Sequence, residues 1–249
     1  PMTIQEKEYF LKDIEAGIKN KKIAWSNDFN TRVVDLEIKE IFNNNLKIFE
    51  NLGAKLEELK FDFDLNDLEQ PFHKYLMHTF SFCVNEEFYN IDPKKLMPHV
   101  KNTIERGSKV MASDYAKALA QLMEYRSKMD KIFDKYDYIL SPTVAIPPHK
   151  FNERPIINNG KIEILDITND QMFDNNNYDY SSWIFVLAQF TAPFNWSGNP
   201  AVSLPCGFTK SGLPVGLQLA GKKKSELSLL QASKAFENIN PWQQNRPKI

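Results

Sequence analysis

The sequence predicts an α/β protein, a mixed β-sheet covered by helices, and three observations carry that prediction. Between Lys22 and Leu59 two short apolar runs flank a stretch of helical period. That is a β-α-β unit, whose two strands are expected to run parallel with a right-handed crossover. Between Ala201 and Gly221 two alternating runs meet at Lys210-Ser211-Gly212, the pattern of an antiparallel hairpin. The chain between these regions is dominated by the period of helices.

Taken in order, the first element is a helix over Gln5 to Ile18, with Tyr9, Phe10, Ile14 and Ile18 apolar and a stop near Gly17. A strand, Lys22 to Trp25, follows at once. After a turn over Ser26 to Thr31, Val34, Ile38, Ile41, Leu46, Phe49 and Leu52 supply a helix that Gly53 closes, and Ala54 to Leu59 is the second strand. Leu65 to Tyr89 forms one or two helices, and Pro93 to Arg106 another that ends at Gly107. Ser113 is the expected N-cap of a long helix, on which Tyr115, Leu119, Leu122, Met129 and Phe133 share a stripe. Arg126 lies in that stripe, either as a buried stem ion-paired to an acidic neighbour or as a ligand contact. Asp137 to Leu140 is a short buried strand running into Ser141-Pro142-Thr143.

The composition changes from Pro147 to Ser181, where prolines and asparagines, Asn175-Asn176-Asn177 among them, replace apolar periodicity. Residues 151–180 are therefore expected to be a long surface loop, either covering a site or forming a disordered insertion. Ser182 to Phe190 resumes as a short helix, Gly198-Asn199-Pro200 breaks the chain before the hairpin, and Ser225 to Ile239 is a final helix with Leu229, Ala232, Phe236 and Ile239 on one face.

Bulk properties exclude several classes. The chain has 249 residues, 42% of them hydrophobic, and a formal net charge of −1, which describes one large or two small globular domains. Charge points to no partner: Lys21-Lys22 and Lys222 to Lys224 are short runs that fit solvated surface, and nucleic-acid binding is not indicated. No apolar run of about 18 residues and no signal-peptide pattern is present, so a cytoplasmic chain without membrane contact is expected. Two cysteines, Cys83 and Cys206, make neither a disulfide framework nor a zinc site, and both are expected to be reduced core thiols. His73 and His78 are five apart, about 140° round a helix, so with His99 and His149 they form no metal set. No metal or cofactor is expected. No G-x-S-x-G elbow exists, and Cys206 reads as a packed thiol in preference to a nucleophile.

One stretch is more specific. Asn199, Pro200, Ala201, Ser203, Pro205 and Gly207 stand in an N-P-A-x-S-x-P-x-G run, and Gly212, Leu213, Pro214, Gly216, Leu217 and Gln218 in a G-L-P-x-G-L-Q run. In both it resembles the C-terminal core of the amidase signature family, enzymes that hydrolyse or transfer amide groups. Ile23-Ala24-Trp25-Ser26, Leu52-Gly53-Ala54, Asp114-Tyr115, Asp137 to Thr143, Pro241-Trp242 and Arg246-Pro247 extend the resemblance from about Lys7 to Pro247. The family's reaction uses a lysine and two serines, one of them the nucleophile in a glycine- and serine-rich segment of the N-terminal half. Here the nine glycines never occur as an adjacent pair. The resemblance therefore implies the C-terminal half of the amidase signature fold, with no catalytic residue of its own.

Three forms are open on that reading: one component of a split hydrolase, a truncated or proteolysed product, and a non-catalytic pseudoenzyme or binding protein. Pro1-Met2 fits either a start at Met2 after an extra Pro1 or an internal sequence. In the first form the expected partner is a chain carrying the N-terminal half, and the substrate a small-molecule carboxamide. In the intact enzyme the resemblance implies that a deprotonated lysine, relayed through one serine, activates the other to attack the amide carbonyl.

Candidate site residues fall at two irregular, proline-containing ends, Ser141-Pro142-Thr143 and Gln189 to Ser197, the kind of position where α/β proteins build ligand contacts. By resemblance the second segment walls the substrate pocket, which assigns substrate-binding roles to Trp183, Gln189, Phe190 and Thr191. In relatives that produce glutaminyl-tRNA an aspartate at that point binds the substrate's amino group. Gln189 takes its place here, which argues against glutamine and, with Trp183, Phe185 and Phe190 nearby, for an uncharged or apolar amide. Core packing accounts for these aromatics equally well.

Overall fold

Ile23 and Ala24, the apolar centre of the four-residue strand β1 (Lys22–Trp25), are fully buried in the middle of a sheet. The computed structural model describes residues 11, 13–29, 33–65, 78–86, 95–96, 98–166 and 186–245. β1 lies between β2 (Lys55–Glu58) and β3 (Tyr138–Pro142), parallel to both. Two further strands of this sheet, placed after a separate hairpin in the chain, are β6 (Ala201–Phe208) and β7 (Pro214–Gly221). β7 pairs antiparallel with β3 and with β6, giving the order β2-β1-β3-β7-β6. The sheet is mixed and the β-α-β unit parallel, as the sequence predicts.

The helix of that unit is α1 (Leu36–Asn51). It starts at Asp35, whose carboxylate accepts the N–H groups of Glu37 at 2.8 Å and Ile38 at 3.4 Å. Such a cap is worth about 1 kcal/mol. The helix stops at Leu52 because Gly53 takes a φ of 85°, a left-handed turn that only glycine enters without strain. Its buried face, Ile38, Phe42, Asn45 and Phe49, lies on the sheet, and Phe49 stacks on Phe236 with ring centroids 5.2 Å apart. Phe236 belongs to the last helix, α6 (Glu226–Ile239), which covers the same sheet face through Leu229 and the Ser228 carbonyl, bonded by the Tyr138 hydroxyl.

α4 (Ala112–Lys135) and the short α5 (Ala192–Ser197) pack on each other and send Leu122, Tyr125, Met129, Phe133, Phe194 and Trp196 into the hydrophobic core. Tyr125 joins them, donating its hydroxyl to the Pro193 carbonyl at 2.9 Å and packing edge-on against Trp196. The helices α2 (His78–Val84) and α3 (Pro98–Gly107) pack on each other, and Gly107 lies so close to the His78 carbonyl that no side chain fits between.

Several local expectations change. Of the expected helix over Gln5 to Ile18, residues 13–15 form a turn with Asp13 at φ 56°, and residues 5–10 and 12 lie outside the described residues. α4 begins at Ala112 with Met111 as its cap, because the N–H groups of Asp114 and Tyr115 already bond to the Met111 carbonyl; Ser113 sits in the first turn. The buried stripe of α4 is Ala118, Leu122, Tyr125, Met129 and Phe133, and Tyr115 and Leu119 stay 38% and 40% exposed. Arg126 is exposed and donates Nε to the Trp196 carbonyl at 2.9 Å, so it tethers the end of α5 where an ion pair or ligand contact was expected.

Residues 153–166 are regular, not loop: β4 (Glu153–Asn158) and β5 (Lys161–Asp166) form an antiparallel hairpin. Asn159 and Gly160 turn it with φ of 47° and 71°, the two left-handed residues a two-residue hairpin turn demands. Residues 167–180 of the expected loop lie outside the described residues, as do 66–77 and 87–89 of the expected helical region and 182–185 of the short helix, whose described part, 186–188, is helical.

The start of β3 is locked to β1. The Asp137 carboxylate accepts the Lys22 N–H at 2.9 Å and the Lys21 ammonium at 3.2 Å, while the Asp137 N–H bonds to the Lys22 carbonyl. Burial acts to raise the Asp137 carboxyl. The Lys22 amide and the Lys21 charge, with Lys222 farther off, outweigh it and hold the group below its ordinary value. A carboxylate so depressed stabilises the fold above its unfolded value of about 4, and that contribution disappears as pH falls through the folded value. Asp137→Asn is therefore expected to lower the denaturation midpoint at pH 7, with a smaller gap to the parent in acid, below the ordinary carboxylate value of about 4. Urea titrations at the two pH values measure it.

Candidate functional site

Register across the sheet places three polar residues in line: Ser141 of β3 opposite Gln218 of β7, and Gln218 opposite Ser203 of β6. Gln218 is buried, and a buried amide needs partners. Its Nε2 donates to the Phe190 carbonyl at 2.9 Å and to Ser141 Oγ at 3.2 Å. This one side chain ties the 189–191 turn to the sheet. One step along, the hydroxyls of Thr143 and Ser203 bond to each other at 2.7 Å across Gly216. A methyl group at Gly216 would stand 2.8 Å from Ser203 Oγ and 3.0 Å from Thr143 Oγ1, so the pair exists only because that residue is glycine.

Gln189 is 1% exposed and donates Nε2 to the Val33 carbonyl at 3.0 Å and the Val186 carbonyl at 3.4 Å. Its Oε1 has no hydrogen-bond partner among the described residues. The Phe190 ring packs against Phe29, centroids 5.0 Å apart, in the hydrophobic core, so only its backbone faces the polar row. Thr191 is half-buried, with Oγ1 donating to the Ala188 carbonyl at 3.4 Å. Trp183 and Phe185 lie outside the described residues.

Of the two segments singled out in the sequence, Ser141 to Thr143 and Gln189 to Ser197, the structure joins Ser141 to the Phe190 carbonyl through Gln218. Sequence reasoning missed Gln218, Ser203 and Gly216 as members of the cluster. All three stand in the N-P-A-x-S and G-L-P-x-G-L-Q runs, but which face they share is a matter of pairing.

The cluster contains no ionisable side chain: Ser141, Thr143, Gln189, Ser203 and Gln218 are all neutral. It can hydrogen-bond an amide. None of these groups is a proton acceptor near neutral pH, so the cluster offers no general base. Cys206, farther along β6, is no nucleophile either. It is buried, its Sγ donates to the Val215 carbonyl at 3.4 Å, and burial pushes its pKa up to about 12. Cys83, expected in the core, is exposed on α2. Among the described residues no group of three or more His, Cys, Asp or Glu is placed to hold a metal, and no helix is long and apolar enough to cross a membrane.

The family model described as Amidase matches residues 1–230. This chain belongs to the amidase signature family. It is similar to a component of the glutamyl-tRNA(Gln) amidotransferase of Alkaliphilus metalliredigens, 26% identical over 92% of this chain and 46% of the relative. The corresponding amidotransferase component of Halalkalibacterium halodurans is 27% identical over 96% and 49%. Among solved structures, a bacterial aryl acylamidase of the family superposes with a TM-score of 0.76 at 21% identity, covering 99% of this chain and 50% of that one. The 6-aminohexanoate cyclic dimer hydrolase gives 0.76 at 18% identity, covering 98% and 50%. These two likenesses establish the fold. The chain spans about half the length of the curated relatives it matches.

The two thiols of this amidase chain are expected to differ sharply. With a pKa of about 12 the Cys206 thiolate is scarce at pH 8. Iodoacetamide should label Cys83 in the native chain and both cysteines in urea. Native labelling of Cys206 at the rate of Cys83, read by peptide mass spectrometry, would contradict the burial of Cys206.

Proposed function

We propose that this chain is the C-terminal portion of a cytoplasmic amidase signature hydrolase that cleaves a carboxamide, and that it works together with a chain carrying the N-terminal half. One observation carries the reading: nearly the whole chain matches amidases over only half their length, and its sequence has no glycine- and serine-rich segment to supply a nucleophile. This portion contributes the sheet core and a pocket wall. The lysine, the two serines and the oxyanion amides come from the other half.

The neutral cluster supports an uncharged amide as substrate. A charged amino group held at Gln189 would lie against a carboxamide with only Oε1 to offer, and a buried cation without a counter-charge is costly. On this reading the buried Gln189 Oε1, which has no partner among the described residues, is the acceptor for an amide N–H, and the half-buried Thr191 lies two residues on. Trp183 belongs to the same proposed wall by resemblance.

Purified alone, the chain is expected to turn over no amide in a panel of aliphatic and aryl carboxamides. Co-expression with the N-terminal half should give a heteromer on size exclusion and restore hydrolysis by several orders of magnitude, as full assembly of a nucleophile and its base requires. A folded monomer that binds no such half and restores no activity would favour a non-catalytic binding role. Turnover by the chain alone that is lost in Cys206→Ala would reveal a nucleophile within it.

A further inference from the structure

Asn159-Gly160 is the only Asn-Gly pair in the sequence, and it turns the β4–β5 hairpin. A glycine after asparagine leaves its backbone nitrogen unshielded by any side chain. Both residues are exposed, and a Cβ added at Gly160 would meet nothing within 4 Å. Among the described residues the Gly160 N–H has no backbone acceptor, and the Asn159 side chain makes no hydrogen bond. Asn158, one residue earlier, is tied down: its Nδ2 donates to both carboxylate oxygens of Glu163, at 3.1 and 3.0 Å.

The base of this hairpin is anchored and its tip is not. Arg154 and Pro155 are buried, and Asn152 donates to the Asp166 carboxylate at 2.7 Å. From Ile157 to Lys161 every residue is exposed, and among the described residues no third strand joins the pair. A two-stranded sheet is marginal by itself in water, so its exposed end opens locally. In the closed turn the pairing of Asn158 with Lys161 holds Asn159 left-handed, at φ 47°. Opening of that last pair releases the residue, and the Gly160 nitrogen can then reach the Asn159 carboxamide carbon.

We propose that Asn159 is a site of spontaneous deamidation, and that its isoaspartyl product opens the tip of the hairpin. The Gly160 nitrogen attacks Asn159 Cγ. A bond forms between them, the Cγ–Nδ2 bond breaks, and ammonia leaves with the proton of the Gly160 nitrogen. Water then adds to one of the two carbonyls of the resulting cyclic imide. If the new N–Cγ bond breaks, the residue becomes aspartate. If the original bond between the Asn159 carbonyl carbon and the Gly160 nitrogen breaks, the main chain runs through Cγ, as isoaspartate, and is longer by a carbon atom. A two-residue turn with both residues left-handed has no room for that extra atom, so the pairing of Asn158 with Lys161 is lost.

The test is ageing of the chain as isolated, alone or in complex, in neutral and in mildly alkaline buffer. Peptide mass spectrometry and labelling with an isoaspartyl methyltransferase read the product. The Asn159 peptide is expected to gain the deamidation mass and the methyl label roughly tenfold faster than any other asparagine peptide, and faster again in alkali, since an exposed turn opens most often. Asn159→Gln should abolish both signals, and Asn158→Gln should leave them. Hydrogen exchange at the tip of β4 and β5 should rise in the aged chain and stay at the parent level in Asn159→Asp, which carries the charge without the longer backbone. Conversion in urea but not in the native chain would show that the closed turn protects Asn159 and would overturn the site, as would faster conversion at another asparagine. Unchanged exchange in a chain converted to isoaspartate would overturn the opening of the hairpin.

Discussion

The architecture depends on β3 being satisfied on both of its edges at once. All five of its residues are buried, it runs parallel to β1 on one side, and it runs antiparallel to β7 on the other. Backbone polar groups at such a depth have no access to water and must be paired. The Asp137 carboxylate, bonded to the Lys22 amide, fixes where the pairing with β1 begins. A slip of one residue would turn every side chain of the strand to the opposite face. Tyr138 and Leu140 would leave the face under α1 and α6, and Ser141 would enter it.

The candidate site is a consequence of that register. Because Ser141 lies opposite Gln218, the Gln218 amide sits between the sheet and the Phe190 carbonyl, and it holds the 189–191 turn in place. Removal of a single buried hydrogen-bond partner of this kind costs about 1–3 kcal/mol, because the groups left behind are unsatisfied. The core reinforces the same arrangement: Phe29 packs on Phe190 and Phe194, and Tyr125 holds the Pro193 carbonyl. The irregular segment is thus rigid although it has little regular structure. That is how a fold holds loop backbone in place.

The division of labour across the sheet is uneven. One face is occupied by α1 and α6, which bury large aromatic and aliphatic side chains, Phe42, Phe49, Leu229 and Phe236 among them. The other has a row of serine, threonine, glutamine and glycine that makes its own hydrogen bonds and leaves Ser203 exposed at the sheet's end. A face built from small neutral groups forms a weak apolar core but a good seat for polar backbone or an amide ligand. Neutrality also means that this cluster offers no acid or base.

Much of this was legible in the sequence where the signal is local. The strand at Lys22, the helix stopped by Gly53, the hairpin turned at Lys210 to Gly212 and the family runs from Asn199 to Gln218 each lie within a few residues of what specifies them. The Asn159-Gly160 turn was equally local, and it went unread because the surrounding prolines and asparagines masked a pair of short strands. What the sequence could not decide depends on distant partners. The buried face of α4 was misjudged by a rotation, since Tyr125 is inside where it bonds the Pro193 carbonyl and packs on Trp196, and Arg126 found a carbonyl in α5, with no acid involved. The meeting of Ser141, Ser203 and Gln218 likewise follows from strand pairing between residues far apart in the chain. Local periodicity and turn chemistry fix which elements form; register and packing, which sum contacts over the whole molecule, decide which side chains meet.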